Sequence, residues 1–125
     1  MAEAIQDRQT LNALVARLWA QKKDLTLGRI AVVEQASCAL ASGSLTKELR
    51  GHAAGEAHKL AGSLGTFGFA EGSRLARAME VMLTAEAELN RDDGERLAQL
   101  LSQLRIELQA PAQSVPNDGA DGAQK

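Results

Sequence analysis

The segment from residue 57 to 68 places one histidine among glycines, and it reads Ala-His-Lys-Leu-Ala-Gly-Ser-Leu-Gly-Thr-Phe-Gly. If the segment is helical, a step of about 100° per residue puts His58 on the side opposite Leu60. A solvent-exposed imidazole is mostly neutral at pH 7, so one of its ring nitrogens is available as a nucleophile. Such a histidine is able to accept a phosphoryl group.

Four glycines share the outward face of His58 at helical spacing. Each glycine inside a helix costs about 1 kcal/mol relative to alanine, so helix stability does not explain them. One explanation is a close approach by another helix, as small-residue patterns allow. The helix already has a complete apolar face around Leu60, however, and we therefore interpret the glycines as a bare surface for a partner. They are Gly51, Gly55, Gly62 and Gly65.

Other chemistry is weakly supported. His52 lies six residues from His58, which is not the spacing that places two metal ligands on one helix face. His52 and Glu56 do have that spacing, but they lack a third ligand, so no metal site is expected. The stretch from Gly62 to Gly68 has neither a preceding strand nor the Gly-Lys-Ser/Thr ending of a phosphate loop.

The elements that must hold the histidine are helices. Helix-forming residues dominate the chain, Tyr is absent, and only two Phe and one Trp occur, which disfavours a sheet. Apolar spacing predicts an all-α fold, an antiparallel four-helix bundle with an additional N-terminal helix. The expected helices are a first from about Leu11 that ends or kinks near Lys22 to Asp24, a second from Leu25 to Ser42, a third capped by Ser44 or Thr46 and ending near Thr66, a fourth from Ala70 to Asn90, and a fifth capped by Asp92 and Glu95 and closed by Pro111.

Length and charge limit the classes of function. The 125 residues fit one domain over residues 1–110, followed by a disordered tail or linker over 111–125. A net charge of −2 without a basic stripe argues against nucleic acid as a partner. Neither an apolar leader nor a run of about 18 apolar residues occurs, so we expect a cytoplasmic protein without membrane contact. A single exposed histidine needs no symmetry mate, which favours a monomer, and the lone Cys38 is expected to be a small core residue.

The chain resembles the histidine-containing phosphotransfer (HPt) domain family. The family pattern is a histidine, a variable residue, an apolar residue, often a lysine, then glycine, with a second glycine ten residues after the histidine. The resemblance extends over helices from about Leu18 to Leu108. The matching positions here are His58, Lys59, Leu60, Ala61, Gly62 and Gly68.

The resemblance implies a fold, a reaction and partners. The family fold is a four-helix bundle with an extra N-terminal helix and an exposed histidine. His58 would take a phosphoryl group from a receiver aspartate or from a histidine kinase and pass it to a receiver aspartate. The domain would have no cofactor of its own and no autonomous kinase activity, because the receiver domain brings the Mg²⁺.

The resemblance also suggests roles for neighbouring residues. Glu80, twenty-two residues after the histidine, would accept a hydrogen bond from Nδ1 and leave Nε2 free. Arg77 is a candidate phosphate or partner contact, with an ordinary ion pair to Glu80 as the alternative. Ala61 departs from the family, which often has a lysine there, so Lys59 or Arg77 would supply that charge. Gly55, Gly62 and Gly65 would meet the partner.

Two other interpretations stay open at this point. Histidine kinase dimerisation domains also carry a histidine on a helical bundle, but an acidic residue and later a proline usually follow it, whereas Lys59 follows His58. No nucleotide motif is present, although the chain could be a fragment of a hybrid histidine kinase. A non-catalytic helical adaptor, in which His58 has no chemical role, is the remaining alternative.

Overall fold

The structure is a computed structural model that describes the backbone of residues 2–109 and the side chains of residues 9–109. This part of the chain forms four helices and no strand, which confirms the all-α prediction. The predicted tail over 111–125 and the predicted closure by Pro111 lie outside the described residues. The helices are α1 (Ala2–Ala41), α2 (Lys47–Thr66), α3 (Ala70–Thr84) and α4 (Arg91–Gln109).

The four helices pack in a ring, in the order α1, α2, α3, α4 and back to α1. Short connections between long helices make neighbours antiparallel. On α1, Arg29 approaches Glu56 of α2 at 3.9 Å, whereas Trp19, earlier in α1, packs on Phe67 just after α2 with ring centroids 5.6 Å apart. The two helices therefore run in opposite directions, and α2 lies diagonally across the bundle from α4.

The core lies at the centre of the bundle and takes leucines from all four helices and alanines from α1, α2 and α3. The apolar face predicted for α2 is confirmed, since Ala53, Ala57, Leu60 and Leu64 are fully buried. Burial of a leucine side chain stabilises the fold by about 1.5–3 kcal/mol, which fixes the rotation of α2 about its axis. The face that carries His58 is consequently turned to solvent.

The additional N-terminal helix is not present as a separate element, and this prediction was wrong. Residues 2–41 form one helix of 40 residues. No Pro or Gly interrupts it near Lys22 to Asp24, and the hydroxyl of Thr26 donates to the carbonyl of Lys22 at 3.0 Å within the helix. Because α1 is twice as long as α2, the part before Trp19 extends past the end of α2, and three leucines there are exposed: Leu11, Leu14 and Leu18.

Two further boundaries differ from the prediction. Helix α3 ends at Thr84 rather than Asn90, because Ala85 is extended, and its carbonyl accepts a hydrogen bond from Arg50 of α2. Helix α4 begins with a reciprocal cap in which the amide of Asp93 bonds Asn90 and the amide of Asn90 bonds Asp93, both at 2.9 Å, so the expected Asp92 cap is wrong. Cys38 is exposed rather than buried.

Gly68 forms the turn between α2 and α3 with a φ of 87°, in the left-handed region that strains any residue with a Cβ. We expect Gly68→Ala to lower the free energy of unfolding by about 1–2 kcal/mol, measured by urea denaturation. Gly28→Ala is the matched control, because Gly28 is helical with open space around its Cβ position and should gain stability. An equal free energy of unfolding for Gly68→Ala and the unmodified protein would contradict the backbone strain expected from a Cβ at residue 68.

None of the helices in the described part of the chain combines the length and the apolarity needed to cross a membrane.

Candidate functional site

The imidazole of His58 stands near the middle of α2 and contacts one side chain of α3. Its side chain is 72% exposed, and Nδ1 lies 2.8 Å from Oε2 of Glu80, whose side chain is 23% exposed. With Glu80 ionised, Nδ1 carries the proton and donates a hydrogen bond to the carboxylate. The other ring nitrogen, Nε2, then has a free lone pair.

Local sequence signals fix the helix that carries the histidine. The hydroxyl of Thr46 accepts a hydrogen bond from the amide of Leu49 at 3.0 Å, so of the two predicted N-caps, Ser44 and Thr46, the helix has the second. At the other end, the amides of Phe67 and Gly68 bond to carbonyls of the last turn. With both ends held and Leu60 in the core, the histidine has one orientation relative to the bundle.

The surface around His58 is bare. A Cβ added at Gly51, Gly55 or Gly62 would meet nothing within 4 Å, so these residues leave open space along α2. Gly65 differs from them, since a Cβ there would lie 3.4 Å from the hydroxyl oxygen of Ser73 on α3. The open strip therefore runs from Gly51 to Gly62, and Gly65 sits at the contact between α2 and α3.

Lys59 points away from the contact of His58 with Glu80. Its Nζ lies 3.3 Å from Oε2 of Glu56, and the other oxygen of Glu56 lies 3.9 Å from Nε of Arg29 on α1. Lys59 thus belongs to a charged group on the α1 side of α2. The imidazole contacts the opposite neighbour, α3.

Helix α3 carries two arginines close to the site. Arg74 pairs with Glu71 one turn earlier, and this hydrogen bond lowers the pKa of the Glu71 carboxyl. Arg77 is exposed one turn before Glu80, but among the side chains that the structure describes it forms no ion pair with that carboxylate. Within residues 9–109, Arg77 is thus an exposed arginine of α3, one turn from Glu80, without a carboxylate in ion-pair distance.

Ala61 occupies the position where the resemblance implies a lysine, and it is only 3% exposed. Its carbonyl accepts a hydrogen bond from the hydroxyl of Ser73 at 2.6 Å, which places residue 61 against α3. The small side chain at this position lets the two helices approach each other. No cation is therefore present one turn after His58 on the α3 side of the helix.

Sequence reasoning missed two residues that tie α2 to α3. Besides Ser73, Arg50 reaches from α2 to the end of α3, where its Nε donates to the carbonyl of Leu83 at 2.9 Å and its Nη2 donates to those of Ala85 and Ala87. Carbonyls at a helix end lack partners within the helix, and a guanidinium satisfies them well. No local sequence pattern predicts either contact, because each joins a side chain to a backbone carbonyl of another helix.

The arrangement can present a nucleophilic nitrogen but supplies little else. Within residues 9–109 no group of three or more His, Cys, Asp or Glu side chains is placed to hold a metal ion. The site offers an oriented imidazole, an open approach along the glycines and the arginine of α3. A reaction at Nε2 must therefore take most of its charge stabilisation from another molecule.

A family model described as Hpt domain matches residues 2–110. No curated protein and no solved structure matches the chain.

Proposed function

The chain belongs to the Hpt domain family, whose members transfer phosphoryl groups through histidine in phosphorelays, and we propose that His58 is the phosphoacceptor of this one. The observation that carries the proposal is the hydrogen bond of 2.8 Å between Nδ1 and Glu80 on an imidazole that is 72% exposed. It directs the free nitrogen of the ring towards solvent. The bare strip along α2 gives a protein partner access to that nitrogen.

The transfer is a displacement at phosphorus. The lone pair of Nε2 attacks the phosphorus of an aspartyl phosphate on a receiver domain, so a P–N bond forms while the P–O bond to the aspartate breaks. The electron pair of the broken bond returns to the aspartate as a carboxylate. Glu80 keeps the proton on Nδ1 and stabilises the positive charge that the ring gains. The reverse displacement passes the group to the aspartate of a second receiver.

The partner must bring the metal. A phosphoryl group in transfer carries negative charge on its oxygens, and Mg²⁺ commonly neutralises it. The described residues contain no cluster of metal ligands, so we assign the Mg²⁺ to the receiver domain. Direct transfer from a histidine kinase is an alternative supply of phosphate, and His58 would act in the same way.

Arg77 is the best candidate to contact the phosphoryl group from this chain. Lys59 pairs with Glu56 on the side of α1, whereas Arg77 is exposed on the helix that Glu80 occupies. A guanidinium binds phosphate oxygens with two parallel hydrogen bonds. Arg77 would thereby supply the charge that Ala61 lacks.

Transfer from phosphorylated receiver domains tests the proposal. The protein is mixed with Mg²⁺ and receivers carrying radioactive phosphate, and the label on this chain is tested for the lability to acid and stability to base of phosphohistidine. We expect label from at least one receiver and none from ATP alone. Absence of label with every receiver and kinase tried would support the helical adaptor, and label from ATP alone would support a kinase fragment.

Glu80→Ala is expected to slow transfer about tenfold, since a hydrogen bond to a charged group contributes about 1.5–3 kcal/mol and partial exposure of Glu80 reduces this. Rapid-quench measurement of label on His58 gives the rate. Glu80→Gln keeps an acceptor oxygen and should stay within about threefold of the unmodified protein. Glu95→Ala, which removes an exposed carboxylate on α4, is the control. A rate for Glu80→Ala equal to that control would remove Glu80 from the site.

A further inference from the structure

The contact between His58 and Glu80 joins two helices, so it depends on how far α2 is shifted along α3. A hydrogen bond of this kind needs a distance of about 2.7–3.2 Å between its heavy atoms. With the two side chains held in place, a sliding of α3 along α2 by about 1.5 Å or more would lengthen the contact beyond this range. Whatever fixes this axial position also fixes the proton on the imidazole.

Small residues lie between α2 and α3 beside the histidine, while larger side chains of both helices, such as Leu60 and Met79, lie in the core. Large side chains resist sliding because ridges on one helix interlock with grooves on the other. Beside the histidine, the carbonyl of Ala61 accepts a hydrogen bond from Ser73, and the Cβ position of Gly65 lies only 3.4 Å from the hydroxyl oxygen of Ser73. Gly72 likewise sits against Leu64 of α2. Small surfaces of this kind allow close approach but give few ridges.

Two polar contacts bracket the site instead. Arg50 lies eight residues before His58, about 12 Å along α2, and bonds Leu83, which is about 4.5 Å beyond Glu80 along α3. Ser73 lies about 10 Å before Glu80 and bonds the carbonyl of Ala61, about 4.5 Å beyond His58. One contact therefore stands on each side of the pair of side chains that makes up the site.

We propose that Ser73 and Arg50 are positioning residues that set the axial position of α3 against α2 and thereby keep the proton of His58 on Nδ1. Neither side chain touches the imidazole, so both act through Glu80. This inference rests on the proposed phosphotransfer by His58, because only a reacting Nε2 makes the position of that proton matter.

The state of the imidazole in solution is the direct test. NMR of the ¹⁵N-labelled protein distinguishes a ring protonated on Nδ1 from one protonated on Nε2, and it requires no phosphate donor. For Ser73→Ala we expect the population with the proton on Nε2 to rise at least about twofold, and transfer to slow about fivefold. Ser73→Thr keeps the hydroxyl and should restore both values.

Matched controls separate positioning from general destabilisation. Ser102→Ala removes an exposed serine hydroxyl from α4 and should leave the imidazole spectrum unchanged. Arg50→Met should shift the spectrum in the same direction as Ser73→Ala, whereas Arg96→Met, at an exposed arginine of α4, should not. Circular dichroism spectra of the variants should match that of the unmodified protein, which checks that each variant is folded.

Unchanged imidazole spectra in Ser73→Ala and Arg50→Met would overturn the inference, as would an equal shift in Ser102→Ala. Failure of the proposed function gives a different result. If the unmodified protein takes no phosphate while Ser73→Ala still moves the proton, the positioning role stands and the phosphotransfer does not.

Discussion

Replacement of His58 by glutamine is expected to abolish phosphoryl transfer while the fold is retained. Glutamine offers an amide nitrogen whose lone pair is delocalised, so it cannot form the P–N bond. The side chain of His58 is 72% exposed, and its Nδ1 contacts the carboxylate of Glu80. Loss of an exposed side chain changes the free energy of unfolding by about 0.5 kcal/mol or less. The phosphate label on the chain after mixing with a phosphorylated receiver should fall to background, and the free energy of unfolding measured by urea denaturation should be unaltered.

His52→Gln is the matched control for this experiment. His52 is the other histidine of the chain and is exposed on the same helix, so its replacement removes an imidazole without touching the site. The control should keep full transfer. Equal label on His58→Gln and the unmodified protein would refute the assignment of His58, and loss of label in His52→Gln with retention in His58→Gln would reassign the phosphoacceptor.

Gly62→Leu is expected to reduce the rate of transfer about a hundredfold, because a misplacement of about 1 Å of the reacting atoms is enough for such a loss. Gly62 lies one turn from His58, and its Cβ position is surrounded by open space. A leucine there would protrude into the approach of a partner without disturbing the core. The helix should become more stable by up to about 1 kcal/mol, since leucine has a higher helix propensity than glycine. The rate of transfer should therefore fall, whereas the free energy of unfolding measured by urea denaturation should rise.

Ala98→Leu provides the control for added bulk. Ala98 is exposed on α4, which lies diagonally across the bundle from α2, so a leucine there should leave transfer unaltered. Gly62→Ala adds a single methyl group and should give an intermediate rate. An unaltered rate for Gly62→Leu would show that the glycine strip is not the approach to His58.

The fold was predictable where local signals and the core agree. In α2, the cap at Thr46 and the apolar face around Leu60 specify the start and the rotation of the helix, and both predictions are confirmed. The end of α3 was not predictable, because residues 85 to 88 are all good helix formers. Arg50, on another helix, donates hydrogen bonds to the carbonyls of Ala85 and Ala87, and a local sequence pattern does not predict such long-range contacts.

The same distinction holds in α1 and at the site. Helix α1 continues through Lys22 to Asp24, where an end or a kink was expected, because a polar run without Pro or Gly continues a helix when its side chains face solvent. For the site, helical spacing was enough to place His58 opposite the core. Glu80 was identified through the resemblance, and the contact of Ser73 with Ala61 had no sequence signal because it involves a backbone carbonyl.

The open strip of glycines also bears on how long a partner stays bound. Association immobilises side chains at an interface at an entropic cost of about 0.5–1.5 kcal/mol for each flexible one. Gly51, Gly55 and Gly62 have no rotamers to lose, so this surface can be covered at little entropic cost. It also offers no anchoring side chains of the kind that slow dissociation. We therefore expect a complex on this surface to form readily and to have a short residence time, which would leave the histidine free for the next partner.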